Sequence, residues 1–293
     1  MAIPLANLKH HNSMTFRRAL IILSIPVLAL GLWAFWWEPS SLHNETHELV
    51  IPSWPSTCEG LKVAVLSDLH VGSPFNHLDH LNTSIDLTLK AEPDLILLAG
   101  DYVVHGVPGG EFVSPQESAS HLARLTAPLG VFAVLGNHDW WYDGPGTMNA
   151  FQQVGIQVLE DASIPITSDA CEFWLAGISD FMEGAHDVPL ALSQIPGDGT
   201  ILAFTHNPDI FPEVPSRVAL TVAGHTHGGQ VHIPFIGRPV VPSQYGERFA
   251  IGHIIENERH LFVTPGIGTS IFPVRFLVPP EVSILILHSS PST

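Results

Sequence analysis

The chain is poor in charge, and in positive charge above all: Lys and Arg account for 11 of its 293 residues, against 28 Asp and Glu. The formal net charge at neutral pH is -17, and charged residues make up 13% of the composition. A protein that binds duplex nucleic acid needs a cluster of Lys or Arg to neutralise phosphates. The longest basic run here is Arg17-Arg18, so the composition argues against binding to duplex nucleic acid.

Cysteine is also scarce, with two residues in the whole chain, whereas histidine reaches 18. This balance argues against thiolate zinc sites and favours ligands of the imidazole and carboxylate type. Cys58 and Cys171 could form a disulfide if the domain is exported, but two cysteines so far apart in sequence do not require one. Two independent small hydrophobic side chains are slightly favoured.

One long stretch carries no charge: residues 19–37 are almost entirely apolar. A helix of this length can cross a bilayer, and Trp33, Trp36 and Trp37 gather at the end where an aromatic belt is expected. A cleaved signal peptide is the alternative, since basic residues precede the stretch and Pro26 interrupts it. The stretch is longer than a usual signal core, and Trp36-Trp37-Glu38-Pro39 at its end offers no small-residue cleavage site, so we predict a retained transmembrane anchor.

Charges on the two sides of this anchor predict its orientation. Lys9, Arg17 and Arg18 precede it, whereas acidic residues follow it. The positive-inside rule then places residues 1–18 in the cytoplasm and the main body on the extracytoplasmic side of the inner membrane, as a single-pass protein. Residues 38–60, which contain several prolines, are predicted to be a linker and a first strand.

The remainder, residues 61–293, is predicted to be one α/β domain. Apolar runs alternate with helical segments around residues 78–91 and 117–127, a pattern typical of mainly parallel strands. After Trp140, short β-type runs follow one another between Gly and Pro residues, and they predict a second sheet packed on the first. These runs are residues 156–159, 171–176 and 261–264.

Polar residues follow five of the apolar runs, at the point where each predicted strand ends. Residues 64–66 lead to Asp68 and His70, residues 95–99 lead to Asp101, and residues 131–135 lead to Asn137, His138 and Asp139. Residues 201–204 lead to His206, and residues 220–223 lead to His225 and His227. Asn and Asp favour turns, so one such strand end would be ordinary. In α/β sheets the carboxyl ends of strands carry the active loops, and five such ends therefore predict a site.

The residue types at these ends match the ligand chemistry of divalent metals. Asp68 and His70 stand two apart, so their side chains point to the same side of a strand end, and His225 and His227 repeat this spacing. Mixed N and O ligands suit two first-row divalent ions such as Mn, Fe, Co or Zn, and such a pair activates water and holds phosphoryl oxygens. The predicted ligands are Asp68, His70, Asp101, Asn137, His206, His225 and His227.

The ordered motif set resembles that of the calcineurin-like metallophosphoesterase family over roughly residues 60–290. The motifs are Asp68-x-His70, Gly100-Asp101, Gly136-Asn137-His138-Asp139, His206 and Gly224-His225-x-His227. The resemblance implies a four-layer α/β/β/α sandwich. It also implies that Asp68, His70, Asp101 and His227 hold one metal, that Asp101, Asn137, His206 and His225 hold the other, and that Asp101 bridges them. By the same resemblance His138 is the general acid, and Asp139 either orients His138 or is a turn residue.

Two further segments, Thr264–Ser270 and Pro273–Phe276, resemble the membrane-associated bacterial branch of the family, some of whose members act on lipid-linked phosphates or pyrophosphates. We therefore expect a membrane-anchored hydrolase that cleaves a phosphodiester or pyrophosphate bond in a phosphate-containing small molecule or lipid. The alternatives are a catalytically inactive, metal-stabilised scaffold and a hydrolase of small nucleotides. All motif positions are present, which argues against the scaffold.

Several polar and aromatic residues fall outside these roles. Arg248 and Arg275 could contact a substrate phosphate, since Arg binds anions through two donors, but a structural salt bridge is preferred for each. Trp140, Trp141 and Tyr142 form either an apolar lip or packed side chains. Six further histidines are interpreted as surface or loop residues: His105, His121, His186, His232, His253 and His260.

Overall fold

A computed structural model of the chain describes residues 22, 24–168 and 171–290. Within these ranges, no helix combines the length and the apolar character that crossing a membrane requires. The predicted anchor, residues 19–37, lies partly outside the described residues, and the predicted cytoplasmic segment 1–18 lies wholly outside them. Residues 24–32 are helical and continue into a π-helical turn, Trp33–Trp37.

Two six-stranded sheets form the centre of the described domain. The first contains β1 (His43–Val50), β2 (Leu61–Leu66), β3 (Leu95–Ala99), β4 (Val131–Val134), β5 (Gln157–Val158) and β12 (Glu281–His288), in the order β1-β12-β2-β3-β4-β5. The second contains β6 (Ala162–Thr167), β7 (Glu172–Gly177), β8 (Ile201–Phe204), β9 (Val218–Ala223), β10 (Gly252–Glu256) and β11 (Arg259–Val263), in the order β10-β11-β9-β8-β7-β6. Strands β2 to β5 pair in parallel, and so do β7, β8 and β9, so each group points its carboxyl ends to one edge.

Helices connect and cover these strands. After the helical residues 24–32, the α-helices are α1 (Leu78–Lys90), α2 (Pro115–Leu122), α3 (Asn137–Gln153) and the short α4 (Val188–Ala191). Short 3₁₀ turns lie at Ser56–Cys58, Pro208–Glu213, His227–Gly229 and Gly246–Phe249. The start of α2 follows from its sequence, because Ser114 accepts a hydrogen bond from the Glu117 backbone N–H and Pro115 suits the first helical position.

Strands buried on both faces separate three apolar cores. In β3, Leu95 and Leu97 face the core between the two sheets, whereas Ile96 and Leu98 face the core beneath α1 to α3. A third core lies on the outer face of the second sheet, where α4 and the turn Pro208–Glu213 supply apolar side chains. The predicted α/β fold with two packed sheets is confirmed, and short turns make up much of its last layer.

One strand lies in a different sheet from the one predicted. The run 156–159 contributes β5, which pairs in parallel with β4 at the edge of the first sheet, so its assignment to the second sheet was wrong. Helix α3 acts as the crossover between these two parallel strands, and such a connection returns the chain to the sheet it left. The runs 171–176 and 261–264 do lie in the second sheet, within β7 and β11.

The two cysteines are joined, so the slight preference for independent side chains was wrong. Cys58 and Cys171 form a disulfide with their Cα atoms 4.7 Å apart, although 113 positions separate them. Cys58 precedes β2 and Cys171 directly precedes β7. Stacking of the sheets brings these two amino-terminal strand ends together, which the spacing in sequence could not reveal. The disulfide therefore ties the first sheet to the second at the edge opposite the strand carboxyl ends.

Candidate metal centre

Both sheets contribute to one buried cluster of polar side chains. Asp68 and His70 follow β2, Asp101 follows β3, and Asn137 opens α3 directly after β4. From the second sheet, His206 follows β8, and His225 and His227 follow β9. All seven predicted ligands are buried: Asp68, His70, Asp101, Asn137, His206, His225 and His227. The carboxyl edges of the two sheets thus meet at the place where the sequence pattern predicted a site.

Asp101 lies at the middle of this cluster. Its Oδ2 atom is 3.2 Å from His206 Nε2 and 3.6 Å from His70 Nε2. On one side, His227 Nε2 lies 3.1 Å from His70 Nε2 and 3.3 Å from Asp68 Oδ1. On the other side, His225 Nδ1 lies 3.1 Å from His206 Nε2. The ligand atoms of Asp68, His70 and His227 lie within 4.8 Å of one another, and so do those of Asp101, His206 and His225.

The hydrogen bonds around the cluster leave ligand atoms free. Within the described residues, the buried Asp68 Oδ1 and Asn137 Oδ1 have no hydrogen-bond partner, a costly arrangement unless a ligand supplies one. His70 Nδ1 lies 3.0 Å from the Val103 carbonyl oxygen, and His206 Nδ1 lies 2.8 Å from that of Ala99. A ring held in this way directs Nε2 into the cluster, and metal-binding histidines are commonly oriented by such a hydrogen bond to a backbone carbonyl. The donor set therefore fits divalent cations.

The backbone at this edge is strained where the ligands stand. Five of the seven ligands have a positive φ: Asp68 at 53°, His70 at 40°, Asp101 at 58°, His225 at 68° and His227 at 51°. This region costs a non-glycine residue about 1–2 kcal/mol, and such conformations gather at functional sites. The surrounding packing therefore holds these side chains in positions that isolated loops would not adopt.

Two glycines of the motifs are required by close packing against ligands. A Cβ on Gly136 would lie 2.2 Å from Asp101 Oδ1. A Cβ on Gly224 would lie 1.9 Å from Ser67 Oγ and 2.6 Å from Asp68 Oδ2. Any side chain at these positions would displace a ligand, which explains the glycine before each of the two motifs.

The electrostatics of the cluster favour cations. Burial acts to raise the pKa of Asp101, but the neighbouring imidazoles of His206 and His138 hold that pKa well below its usual range. Burial acts to lower the pKa of His206, yet Asp101 raises it well above its usual value. For His70 and His225 burial dominates and lowers each pKa to about 3, so both rings are neutral at neutral pH. Neutral imidazoles beside a buried carboxylate are the form that binds metals.

His138 lies beside the ligands at the start of α3. Its ring centroid is 4.7 Å from that of His70 and 4.8 Å from that of Trp141, and its backbone N–H donates to Asp101 Oδ1 at 2.9 Å. The ring lines the cleft described below. One ring nitrogen of His138 also lies within 4.8 Å of ligand atoms of His70 and Asp101. Distance alone therefore does not separate His138 from the ligands, and its role as a general acid stays a prediction.

The Asp139 carboxylate bonds backbone groups and makes no hydrogen bond to the His138 ring in the described chain. Its Oδ1 accepts hydrogen bonds from the backbone N–H groups of Tyr102 and Val103, and its Oδ2 accepts from those of Asp101 and Gly136. Within the described residues, His138 Nδ1 has no hydrogen-bond partner. Of the two predicted alternatives, the geometry therefore favours the turn residue: Asp139 holds the loop that carries Asp101 against the start of α3.

A cleft of about 960 Å³ opens over the cluster. Asp101, His138, His225 and His227 form its floor, and its walls include many apolar side chains. The apolar wall residues include Trp141, Phe181, Met182, Val231, Val240, Ile271, Phe272 and Val274. Trp141 therefore forms part of an apolar lip, whereas Trp140 packs against the core beneath α1 to α3. The cleft can accept a molecule with a charged end and a sizeable apolar part.

Two further residues near the centre were missed by the sequence reasoning. His105, interpreted as a surface or loop residue, lines the cleft, and its Nε2 lies 3.1 Å from the His138 carbonyl oxygen. Asp180 is fully buried, burial raises its pKa, and its Oδ1 has no hydrogen-bond partner among the described residues. Asp180 follows β7 as the ligands follow their strands, so the same strand-end signal could have found it. His105 carries no such signal.

The two arginines have structural roles. Arg248 forms a salt bridge with Glu256, with Nη2 2.7 Å from the carboxylate, as preferred from the sequence. Arg275 is fully buried and forms no such pair in the described chain. Its guanidinium donates to the carbonyl oxygens of Pro265, Gly266, Gly268 and Val278, and burial lowers its pKa to about 10. Arg275 therefore holds the loop behind Asp68 and does not reach a substrate. His260 is also buried, contrary to its interpretation as a surface or loop residue.

Comparisons with known proteins agree with this site. A family model described as Calcineurin-like phosphoesterase matches residues 61–229. "Phosphodiesterase YaeI" of Escherichia coli (strain K12) is 34% identical over 236 residues, which cover 77% of this chain and 82% of that protein. "Uncharacterized metallophosphoesterase YkuE" of Bacillus subtilis (strain 168) is 28% identical over 261 residues, which cover 88% of this chain and 90% of that protein. "UDP-2,3-diacylglucosamine pyrophosphatase LpxG" of Chlamydia trachomatis is 25% identical over an alignment of 325 residues, which covers 90% of this chain and 94% of that protein.

The two packed sheets bring buried carboxylates and imidazoles to a common edge. Together with these relatives, this arrangement defines the protein as a metal-dependent phosphoric ester hydrolase. More specifically, the chain belongs to the calcineurin-like phosphoesterase family.

Proposed function

We propose that the protein is a membrane-anchored, two-metal phosphohydrolase that cleaves a phosphodiester or pyrophosphate bond in a lipid-linked or cell-envelope substrate. The observation that carries this proposal is the cluster of ligand atoms from both sheets beneath a cleft with apolar walls. Two relatives point to the same bond types, since one is named a phosphodiesterase and another a pyrophosphatase of a diacylated sugar nucleotide.

The ligands divide between two ions around Asp101. Asp68, His70, Asp101 and His227 would hold one ion, and Asp101, Asn137, His206 and His225 would hold the other. The free oxygens of Asp68 and Asn137 and the short distances on both sides of Asp101 support this division. When bound, such a pair of ions supplies an activated water and charge stabilisation at the phosphoryl oxygens.

The remaining chemistry belongs to His138. A leaving alkoxide needs a proton, and an imidazole beside the reacting phosphate can donate it. The Asp101 carboxylate fixes the backbone of His138 through the 2.9 Å hydrogen bond, and the ring packs between His70 and Trp141. Trp141 and the other apolar walls exclude water from the leaving group. Asp139 acts only indirectly, through the loop that carries Asp101.

Residues 19–37 would anchor the protein in the inner membrane, with the catalytic domain outside the cytoplasm. The charge-free stretch and the basic residues before it support the anchor and its orientation. The Cys58–Cys171 disulfide supports the extracytoplasmic side, since disulfides persist in oxidising compartments and are rare in the cytosol. An anchored domain would meet its substrate at the membrane surface.

Hydrolysis of an alkyl phosphodiester, whose leaving alkoxide needs a proton, by the purified full chain with added Mn²⁺ tests the proposal. His138→Ala should lower kcat by about 10²–10⁴-fold, the usual contribution of a general acid, and leave the bound metal in place. Asp101→Ala should remove the metal and the activity together. His121→Ala is the matched control, because His121 lies in α2, contacts Asn82 in α1 and is not one of the proposed ligands. Equal background rates in all four proteins would favour the inactive scaffold.

A substrate panel then separates the bond types. Lipid pyrophosphates, lipid phosphodiesters, phosphomonoesters and free nucleotides are compared under the same conditions. We expect the lipid substrates to be hydrolysed with the higher kcat/KM, since the apolar walls contribute binding energy for an alkyl chain. Higher kcat/KM for free nucleotides would contradict the lipid-linked assignment and leave the two-metal chemistry intact.

A further inference from the structure

We propose that an apolar rim beside the cleft docks onto the surface of a lipid bilayer, so that the metal cleft opens at the membrane. The apolar rim consists of Phe235 and Ile236, of Ile271 and Phe272, and of Leu277. From the proposed function, this inference takes only the membrane anchor at residues 19–37. It adds a second membrane contact, made by the catalytic domain itself.

The rim side chains are large, apolar and unpacked. Phe235 is fully exposed, Ile236 is 74% exposed, and Ile271 and Phe272 are 61% and 58% exposed. Soluble domains expose single apolar residues routinely, but contiguous apolar patches mark interaction sites. The rim joins the apolar wall of the cleft, because Ile271 and Phe272 also line it.

Backbone hydrogen bonds unite the two segments that form the rim. The His232 N–H donates to the Phe276 carbonyl oxygen at 2.8 Å, and the Phe276 N–H donates to the Gln230 carbonyl oxygen at 2.8 Å. The Gln230 side chain bonds Ser270 N–H and the Phe272 carbonyl oxygen. The turn that carries Phe235 and the loop that carries Phe272 are therefore one structural unit.

The same unit holds the end of the charge-free stretch. The Arg275 backbone N–H donates to the Ala34 carbonyl oxygen at 2.9 Å. Glu38, which is buried, accepts a hydrogen bond from the Val278 backbone N–H. The apolar stretch that begins outside the described residues thus ends against the rim. A bilayer that surrounds the stretch would also lie against Ile271, Phe272 and Leu277.

The distribution of charge fits a membrane surface. Residues 229–246 and 259–280, which include both rim segments, contain no acidic residue, although the chain has 28. The guanidinium of Arg275 is turned inward to backbone carbonyls. One carboxylate from outside these ranges reaches the Phe235 turn, where Glu247 accepts a hydrogen bond from the Arg238 backbone N–H at 3.0 Å. The rim segments themselves carry no negative charge that anionic headgroups would repel.

The backbone of the rim is strained in a way that packing does not explain. Phe235 has a φ of 70°, Ile271 of 65° and Leu277 of 55°. Bulky and β-branched residues are disfavoured in this region, where Gly or Asn would be the ordinary choice. Apolar side chains that are both strained and exposed indicate a contact outside the domain, and the bilayer supplies it.

Fluorescence quenching in vesicles tests the rim directly. Ile236→Cys and Leu277→Cys are introduced singly into the full chain, labelled with an environment-sensitive dye and reconstituted into phosphatidylcholine and phosphatidylglycerol vesicles that contain nitroxide lipids. The two native cysteines are joined, so the new thiol is the only one labelled. Leu190→Cys and Ile255→Cys are matched controls, since both positions are more than half exposed and lie outside the rim.

We expect the labels at positions 236 and 277 to lose most of their fluorescence and those at positions 190 and 255 to keep theirs. Equal quenching at all four positions, or none at 236 and 277, would overturn the proposal. Shielding of position 236 that depends on protein concentration and not on nitroxide lipid would assign the rim to a second copy of the chain and would also overturn it.

An activity measurement separates this inference from the proposed function. Phe235→Asp with Ile236→Asp changes rim residues that do not line the cleft, and Leu190→Asp with Ile255→Asp is the control pair. The first pair should lower turnover of a vesicle-embedded lipid by about tenfold or more, the loss expected when burial of large apolar side chains is prevented. Hydrolysis of the soluble diester should be unchanged. If the wild type hydrolyses no lipid while quenching is still confined to the rim, the lipid substrate of the proposed function is wrong. The docking of the rim onto the bilayer is then supported.

Discussion

Replacing Asp139 by Asn should damage the fold and the metal centre together, because this carboxylate is a structural acceptor. Its two oxygens accept four backbone N–H groups, each at 2.9–3.1 Å, from Asp101, Tyr102, Val103 and Gly136. An Asn side chain has one carbonyl oxygen, which can keep one pair of these donors. Its amide N–H₂ group would face the other pair and could accept from neither.

The magnitude follows from the two donors left without a partner. A buried, unsatisfied backbone N–H costs about 1–3 kcal/mol, so the substitution should lower the free energy of unfolding by about 2–6 kcal/mol. For a domain of this size, that corresponds to a decrease in Tm of about 5–20 °C. The loop carrying Asp101 would also lose its attachment to α3, so metal content should fall even where the variant remains folded.

Calorimetry and elemental analysis of the purified variant measure both effects, with His138→Gln as the companion variant. His138→Gln should keep the Tm and the bound metal and lose kcat, whereas Asp139→Asn should lose all three. An Asp139→Asn variant that keeps wild-type stability and metal content, but loses activity with an altered pH profile, would contradict this expectation. That result would restore Asp139 as the residue that orients His138.

Three further outcomes are expected. Cys58→Ser with Cys171→Ser should lower the free energy of unfolding in urea by about 2–5 kcal/mol, because a cross-link across 113 positions restricts the unfolded chain; unchanged stability would contradict this. Burial raises the pKa of Glu160 from 4.5 to about 8, so the contribution of this group to stability is largest below pH 4.5 and falls by about 1.4 kcal/mol per pH unit as the pH rises toward 8. Glu160→Gln removes that loss, and its stability relative to wild type should increase across this window; a constant difference would count against it. Gly224→Ala should displace Asp68 and lower metal content and kcat, since its Cβ would meet Ser67 Oγ at 1.9 Å, whereas Gly197→Ala, which meets nothing within 4 Å, should change neither.

The sequence predicted the location of the centre because parallel strands share a carboxyl edge. Asp101 and His206 are 105 positions apart, yet both follow buried strands, and their side chains meet at 3.2 Å. The pattern could not show that the two edges would face each other across two sheets, and the family resemblance supplied that expectation. The ligand division and the role of His138 stay predictions until metal and activity are measured.

Other features depend on packing that no local pattern encodes. The Cys58–Cys171 pair depends on how the sheets stack, and the run 156–159 depends on where α3 returns the chain. His105 reaches the cleft from a loop without any strand-end signal. The role of Asp139 could not be read from its position in the motif, because its four donors come from two separate segments.

The two sheets meet along opposite margins: a disulfide joins them at the amino ends of β2 and β7, and the ligands of the proposed ions would join them at the carboxyl ends. Oxidation of the cysteines therefore affects one edge of the two sheets, and binding of metal affects the opposite edge. We expect chelation to free the margin that bears the proposed site while the disulfide still joins the other margin, so that the metal-free protein rebinds its ions without refolding. The order of assembly would then be fixed, with the disulfide formed first and the ions acquired afterwards by a domain that is already folded.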